Sequence, residues 1–283
     1  MNLDRRDFLK TTLAASATAA LSPTLSAAET KPTSVGREYY ELRCYHLKTD
    51  TRLKADADPA LLDGYLEQAM LPALEQRGVK NVGVFTEVNV HRDTATFDPK
   101  SGSPVWVLIP HSTLESFVRV SAELNADPAV QQAGQNYLQA KKASPAFERI
   151  DSWLLLAFQG LPQMEVPAFS RNKTPTCFFE MRDYESHSEL KALNKMAMFD
   201  EGEIALMKDL GMSPLFFGQA LAGRDLPHLR YITCGPDLAT HLANWKKFGP
   251  DPRWIKMKDL PQYADNTLKN TSRYLIPKAY SQL

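Results

Sequence analysis

The chain has few cysteines, no excess of either charge and none of the short motifs of common catalytic sites. Its cysteines, Cys44, Cys177 and Cys234, form an odd and scattered set, which argues against a disulfide framework. Lysine plus arginine and aspartate plus glutamate both number 33, so the formal net charge is zero. Without a basic stripe, we expect no nucleic-acid partner.

Sequence motifs for metals, nucleophiles and nucleotides are missing as well. The chain contains neither H-E-x-x-H nor C-x-x-C, so we expect no metal site. It has no G-x-S-x-G and no glycine-rich phosphate loop. None of the six histidines is placed as an obvious axial ligand of haem. Catalytic residues and cofactors therefore stay unassigned.

The first residues have the layout of an export signal. Arg5 and Arg6 begin an R-R-x-F-L-K run, a mildly apolar stretch follows, and small residues end at Ala28. This layout resembles a twin-arginine signal peptide, predicted here as residues 1–28. The apolar stretch is short and contains Pro23, so we expect no stable membrane span once the signal peptide is removed. The signal itself predicts an exported, periplasmic protein.

The rest of the chain repeats itself in order. Four segments of the first half have counterparts in the second, and they are Tyr40–Tyr45 with Phe179–Tyr184, Gly78–Phe85 with Gly211–Gly218, Asp127-Pro128 with Asp251-Pro252, and Ser152–Leu155 with Ser272–Leu275. The repeat predicts a first domain over 37–160, a linker over 161–175 and a second domain over 176–283.

Each repeat predicts the same order of elements. Alternating and helical apolar patterns give strand, helix, two strands, helix and strand. The connection between the two middle strands is longer in the first repeat (His91–Pro104) than in the second (Ala222–Pro227). The predicted fold class is α+β, with two ferredoxin-like βαββαβ modules.

Alternation along the first strand of each repeat separates an apolar face from a polar one. We expect the apolar face, with Tyr40, Leu42, Phe179 and Met181, to lie under the helices. The polar faces would then meet in an intrachain barrel that resembles a dimeric α/β barrel. The candidate barrel-interior binding residues are Glu41, Arg43, Tyr45, Glu180, Arg182 and Tyr184. They could form structural Glu–Arg pairs, a polar floor for a ligand, or both.

The second repeat resembles the NIPSNAP family. The segments that carry the resemblance are Phe179–Tyr184, Met198–Ile204, Pro214–Gly218, Leu229–Tyr231, Trp245–Phe248 and Asp251–Trp254. The first repeat resembles a diverged copy that keeps Tyr40–Arg43 and Asp127-Pro128. The resemblance implies the ferredoxin-like fold of the dimeric α/β-barrel superfamily and implies no reaction.

Three functions remain open from the sequence. The first is an exported protein that binds a small molecule or a partner through the barrel between the modules. The second is an oxidoreductase or isomerase-like enzyme of the dimeric-barrel kind, related to monooxygenases. The third is a structural subunit of a periplasmic complex. Homo-oligomerisation is open in each case.

Overall fold

The structure, a computed structural model, describes residues 36–47 and 57–283. The predicted signal peptide lies outside these residues. The strands are β1 (Tyr39–His46), β2 (Gly83–His91), β3 (Thr96–Pro99), β4 (Val105–His111), β5 (Arg149–Ala157), β6 (Phe178–Glu185), β7 (Pro214–Ala222), β8 (His228–Gly235) and β9 (Lys269–Pro277). The helices are α1 (Pro59–Tyr65), α2 (Leu71–Gln76), α3 (Leu114–Ala126), α4 (Pro128–Ala133), α5 (Gln135–Leu138), α6 (Ala168–Arg171), α7 (Glu189–Met198), α8 (Ile204–Asp209), α9 (Leu238–Phe248) and α10 (Pro252–Lys258).

Eight of the strands close into an antiparallel barrel. The order is β2-β4-β1-β5-β7-β8-β6-β9, and β9 pairs back onto β2, while β3 adds a short hairpin arm to β2. Within each half the order is that of a ferredoxin-like sheet, so the predicted pair of βαββαβ modules is confirmed. The halves join through β5–β7 and β2–β9, and all described residues belong to one compact unit. The exact domain boundaries stay a prediction.

The first helix of each module is interrupted by one π turn, at Leu66–Met70 and at Phe199–Glu203. In the first module the turn precedes Pro72, which has no N–H for the carbonyl four residues earlier and so forces a local rearrangement. The turn in the second module is also irregular, with non-helical backbone at Gly202. Both helices end in a turn that a left-handed glycine closes, Gly78 at φ 79° and Gly211 at φ 77°.

The barrel interior is a packed apolar core. Tyr40 from the first module lies 4.6 Å from Phe216 of the second, and Phe85 lies 5.0 Å from Phe179, measured between ring centroids. Leu42 and Met181 are fully buried in the same cluster. The face expected to lie under the helices therefore points into the barrel. The interior of a closed barrel is shielded from water, so the more apolar face of the strand points into it.

The six predicted barrel-interior residues lie instead on the outer wall of the barrel, beneath the helices. Arg43 donates to Ser121 of α3, Glu180 pairs with His241 of α9, and Arg182 stacks on Trp245 of α9. The predicted orientation was wrong for all six, namely Glu41, Arg43, Tyr45, Glu180, Arg182 and Tyr184. The helices carry polar side chains that pair with these groups, which is why the helical layer tolerates them.

One end of the barrel interior holds a buried ion cluster. Arg230 and Arg273 both donate to the Asp183 carboxylate, and the Arg230 guanidinium lies 4.3 Å from the ring centroid of Trp153. Burial alone would raise the pKa of Asp183, but the two guanidinium groups outweigh it, and the pKa is lowered from its ordinary 3.8. Asp183 is therefore charged at neutral pH and compensates the buried arginines.

Candidate functional site

A cavity of about 540 Å³ lies outside the barrel wall of the second module. Its floor is the outer face of β6 and β9, its roof is α9, and one side is the tip of the β2–β3 hairpin from the first module. The lining residues are Arg92, Ala95, Glu180, Arg182, Ala239, Leu242, Ala243, Trp245, Lys246 and Tyr274. The volume falls in the range of small-molecule sites, roughly 300–1,000 Å³.

The floor of the cavity carries a buried glutamate held by a histidine. Glu180 Oε2 lies 2.8 Å from Nε2 of His241, four residues into α9 from its Asp237 cap. A carboxylate can only accept, so His241 Nε2 carries the proton and donates to Glu180. Burial alone would raise the pKa of Glu180, but His241 and Arg182 together lower it. Glu180 is therefore ionised at neutral pH and already has a partner.

Trp245 forms a wall of the cavity one helical turn beyond His241. Its indole Nε1 lies 3.2 Å from the same His241 Nε2. That nitrogen cannot accept from the indole while it donates to Glu180, so the two contacts exclude each other. We assign the proton to the shorter contact with the carboxylate, which leaves the Trp245 N–H as a donor for another acceptor.

Arg182 is the cation on the floor of the cavity. Its guanidinium stacks 4.4 Å from the ring centroid of Trp245, and its side chain is 18% exposed. The nearest carboxylate oxygen, Glu180 Oε1, is 3.7 Å from Nε, which is beyond hydrogen-bonding distance. Within the described residues, Nε has no hydrogen-bond partner although it is buried. The protein therefore leaves this guanidinium incompletely hydrogen-bonded, and its exposed part offers a positive charge that favours an added anion.

The charges around the cavity favour an anionic ligand. Arg92, Arg182 and Lys246 supply three positive charges, against one lining carboxylate, Glu180, which already accepts a hydrogen bond from His241. Trp245 and Tyr274 provide flat aromatic surface. The arrangement can hold a small organic anion whose body is flat and apolar.

The equivalent place in the first module is built differently. Arg43 donates to both Glu41 oxygens and to Ser121 Oγ, so its guanidinium is engaged by the protein itself. Ser121 and Trp245 are both eight residues after the N-caps of their helices. A histidine again approaches the glutamate, but it is His111 of β4, with Nε2 3.7 Å from Glu41 Oε2. The two modules have diverged at the positions that line the cavity.

Two of the six residues singled out from the sequence, Glu180 and Arg182, meet in the cavity. Tyr184 lies deeper in the helical layer, stacked 5.8 Å from Tyr231, and the other three belong to the first module. Sequence reasoning missed Trp245, Tyr274, Lys246 and Arg92. His241 and Trp245 lie four residues apart and so share one face of α9. Their ring nitrogens need polar partners, a signal in the sequence that α9 covers the polar face of the strand below. Nothing local connects Arg92 with the second module.

Two further structural findings concern metals and membranes. Across residues 36–47 and 57–283, no group of three or more histidine, cysteine, aspartate or glutamate side chains is arranged to hold a metal ion. In the same part of the chain, no helix combines the length and apolar character needed to cross a bilayer.

Two protein-family models match the chain, one in its second half and one at its N-terminus. Residues 179–282 match the profile of the NIPSNAP family, and residues 2–22 match the TAT (twin-arginine translocation) pathway signal sequence. No curated protein matches the chain.

Solved structures resemble the chain at low identity. An anthrone oxidase-like protein shares 9% identity, with 87% of this chain and 93% of that chain covered, at a TM-score of 0.48. An uncharacterized NIPSNAP-like domain protein from Burkholderia xenovorans shares 16%, with 38% and 89% covered, at a TM-score of 0.34. A NIPSNAP family protein of unknown function from Agrobacterium tumefaciens shares 15%, with 36% and 87% covered, at a TM-score of 0.32. The second module is thus similar to the NIPSNAP family over residues 179–282, and the N-terminal signal directs the chain to the periplasm by the twin-arginine route.

Proposed function

We propose that this exported protein binds a small organic anion in the cavity between the outer sheet face of its second module and α9. The anionic group is held by Arg182, and the flat apolar body of the ligand lies against Trp245. The observation that carries the proposal is Arg182, which lines a cavity of about 540 Å³ and whose Nε has no hydrogen-bond partner among the described residues.

The location differs from the barrel interior that the sequence suggested. The interior is filled by apolar side chains such as Tyr40, Phe179 and Phe216, which leaves the sheet–helix cavity as the ligand-sized space in this proposal. The pairing of Glu180 with His241 supports binding over proton abstraction. A carboxylate whose pKa is lowered is a weak general base at neutral pH. No contact among the described residues favours the two alternative functions, an oxidoreductase or a purely structural subunit.

Naphthoate and its uncharged amide, naphthamide, test the proposal as probes of equal shape. We expect saturable quenching of tryptophan fluorescence by naphthoate, and binding of naphthamide weaker by about tenfold, the equivalent of one charge-assisted hydrogen bond. Arg182→Met should lower naphthoate affinity by about the same factor and leave naphthamide unchanged. Trp245→Phe should remove most of the quenching signal.

Arg119→Ala is the matched control, because it also removes one arginine but from an exposed position on α3. It should bind both probes like the wild-type protein. Equal affinity of the wild-type protein for the acid and the amide would contradict the proposal. An Arg182→Met variant that keeps full naphthoate affinity would contradict it too.

A further inference from the structure

The β2–β3 hairpin of the first module reaches over the second module. β2 pairs with β9 from Phe85 to Val88, then continues to His91 and returns as β3. Val88 and Val90 pack in a small apolar cluster with Phe178 and with Leu238 and Leu242 of α9. The ring of Phe97 lies 5.8 Å from that of Phe178. Apolar contacts therefore fasten this hairpin to the elements that enclose the cavity.

The tip of the hairpin forms one side of the cavity. Arg92 and Ala95 are lining residues, and Arg92 Nη2 donates to the Tyr274 hydroxyl. The Arg92 guanidinium also lies 5.8 Å from the ring centroid of Tyr274. Arg92 is otherwise exposed, so its charge stands at the outer end of the site while Arg182 stands on the floor.

The second module lacks an equivalent arm. β7 ends at Ala222, and the following turn carries Arg224, which donates to Asp151 of β5. The strand position opposite the glutamate has diverged as well. Tyr274 lies opposite Glu180, whereas Leu154 lies opposite Glu41. The long connection that distinguishes the first repeat thus serves the cavity of the second.

We infer that the β2–β3 hairpin is a cap which completes the cavity, and that Arg92 is a specificity-determining residue that binds an acceptor at the outer end of the ligand. The inference rests on the proposed function and extends it in two ways. The preferred ligand carries a second anionic or acceptor group opposite the one held by Arg182. The chain binds one ligand, because only the second module receives a cap.

A linear naphthalenedicarboxylate, compared with naphthoate, tests the role of Arg92. We expect the wild-type protein to bind the dicarboxylate more tightly by about tenfold, with one molecule per chain by isothermal titration calorimetry. Arg92→Ala should lose this preference and retain naphthoate binding. Arg224→Ala removes the arginine of the pseudo-equivalent turn and should keep the preference. Arg92 and Arg224 are both exposed, so the two variants should fold alike.

The outcomes distinguish a failure of the cap inference from a failure of the proposed binding site. A dicarboxylate preference that persists in Arg92→Ala, or that disappears equally in Arg224→Ala, overturns the cap while naphthoate binding through Arg182 still stands. A wild-type protein that binds neither probe overturns the proposed function and the cap with it. A stoichiometry of two molecules per chain also overturns the assignment of a single capped site.

Discussion

At the scale of single residues, two arginines at equivalent positions have different roles. Arg43 is hydrogen-bonded to Glu41 and to Ser121, and its pair with Glu41 is almost buried. Arg182 faces the cavity, and its neighbour Glu180 is held by His241. A buried ion pair whose partner is removed leaves an uncompensated charge, whereas Glu180 keeps its histidine when Arg182 is removed.

This difference predicts unequal costs for the same substitution. Arg43→Met should lower the free energy of unfolding by about 3–5 kcal/mol, because Glu41 is left buried with only the more distant His111. Arg182→Met should cost about 1 kcal/mol, the worth of its cation–π contact with Trp245. Urea unfolding followed by circular dichroism measures both values. Equal losses would show that Arg182 is as structural as Arg43.

At the scale of elements, the helix ends could be read from the sequence. Gly78 and Gly211 follow the first helix of each module, where glycine commonly ends a helix, and both adopt the left-handed conformation. In each case the following residue donates back across the turn, Val79 to Leu74 and Met212 to Met207. Glycine is required there because a side chain in this region of backbone space is strained.

The two glycines form a matched pair for measurement. Gly78→Ala should cost about 1 kcal/mol, the strain of a left-handed residue, because nothing lies within 4 Å of the added Cβ. Gly211→Ala should cost about the same, because its Cβ would meet Asn244 Nδ2 at 3.4 Å, an ordinary van der Waals contact, and the left-handed strain is shared. Urea unfolding of both variants checks the two losses. A negligible loss at either glycine would contradict this account.

The element order was predictable from local patterns, while the orientation of the sheet and the site was not. The strands and the Asp58 and Asp237 caps follow from residues close in sequence, and the repeat follows from matching the two halves of the chain. The spacing of Ser186 and Glu189 is typical of a helix cap at Ser186, whereas the cap of α7 in the structure is Ser188. Strand alternation separates two faces but does not say which one the helices cover, because β1 and β6 bury residues on both faces. The contacts of Arg92 with Tyr274 and of Glu180 with His241 join residues far apart in the chain.

At the scale of the whole molecule, each module covers the face that the other would expose. Phe179, Met181 and Phe216 of the second module are fully buried in a core that the first module shares, with Phe85 against Phe179 and Tyr40 against Phe216. The edge strands β7 and β9 likewise find their partners in β5 and β2. A module alone would present an apolar sheet face and two unpaired edges, which together favour association.

The second module expressed alone, residues 176–283, should therefore form a homodimer, with β9 of each copy paired to β7 of the other in place of the lost β2 and β5. The pairing would restore an eight-stranded closed barrel with the same apolar interior. Native mass spectrometry and size-exclusion chromatography should detect two chains. Met181→Lys places a charge in that interior and should abolish the dimer, whereas Lys256→Ala, on the outer helix α10, should leave it intact. A soluble, folded monomer of the unmodified fragment would show that the sheet faces do not depend on each other for stability.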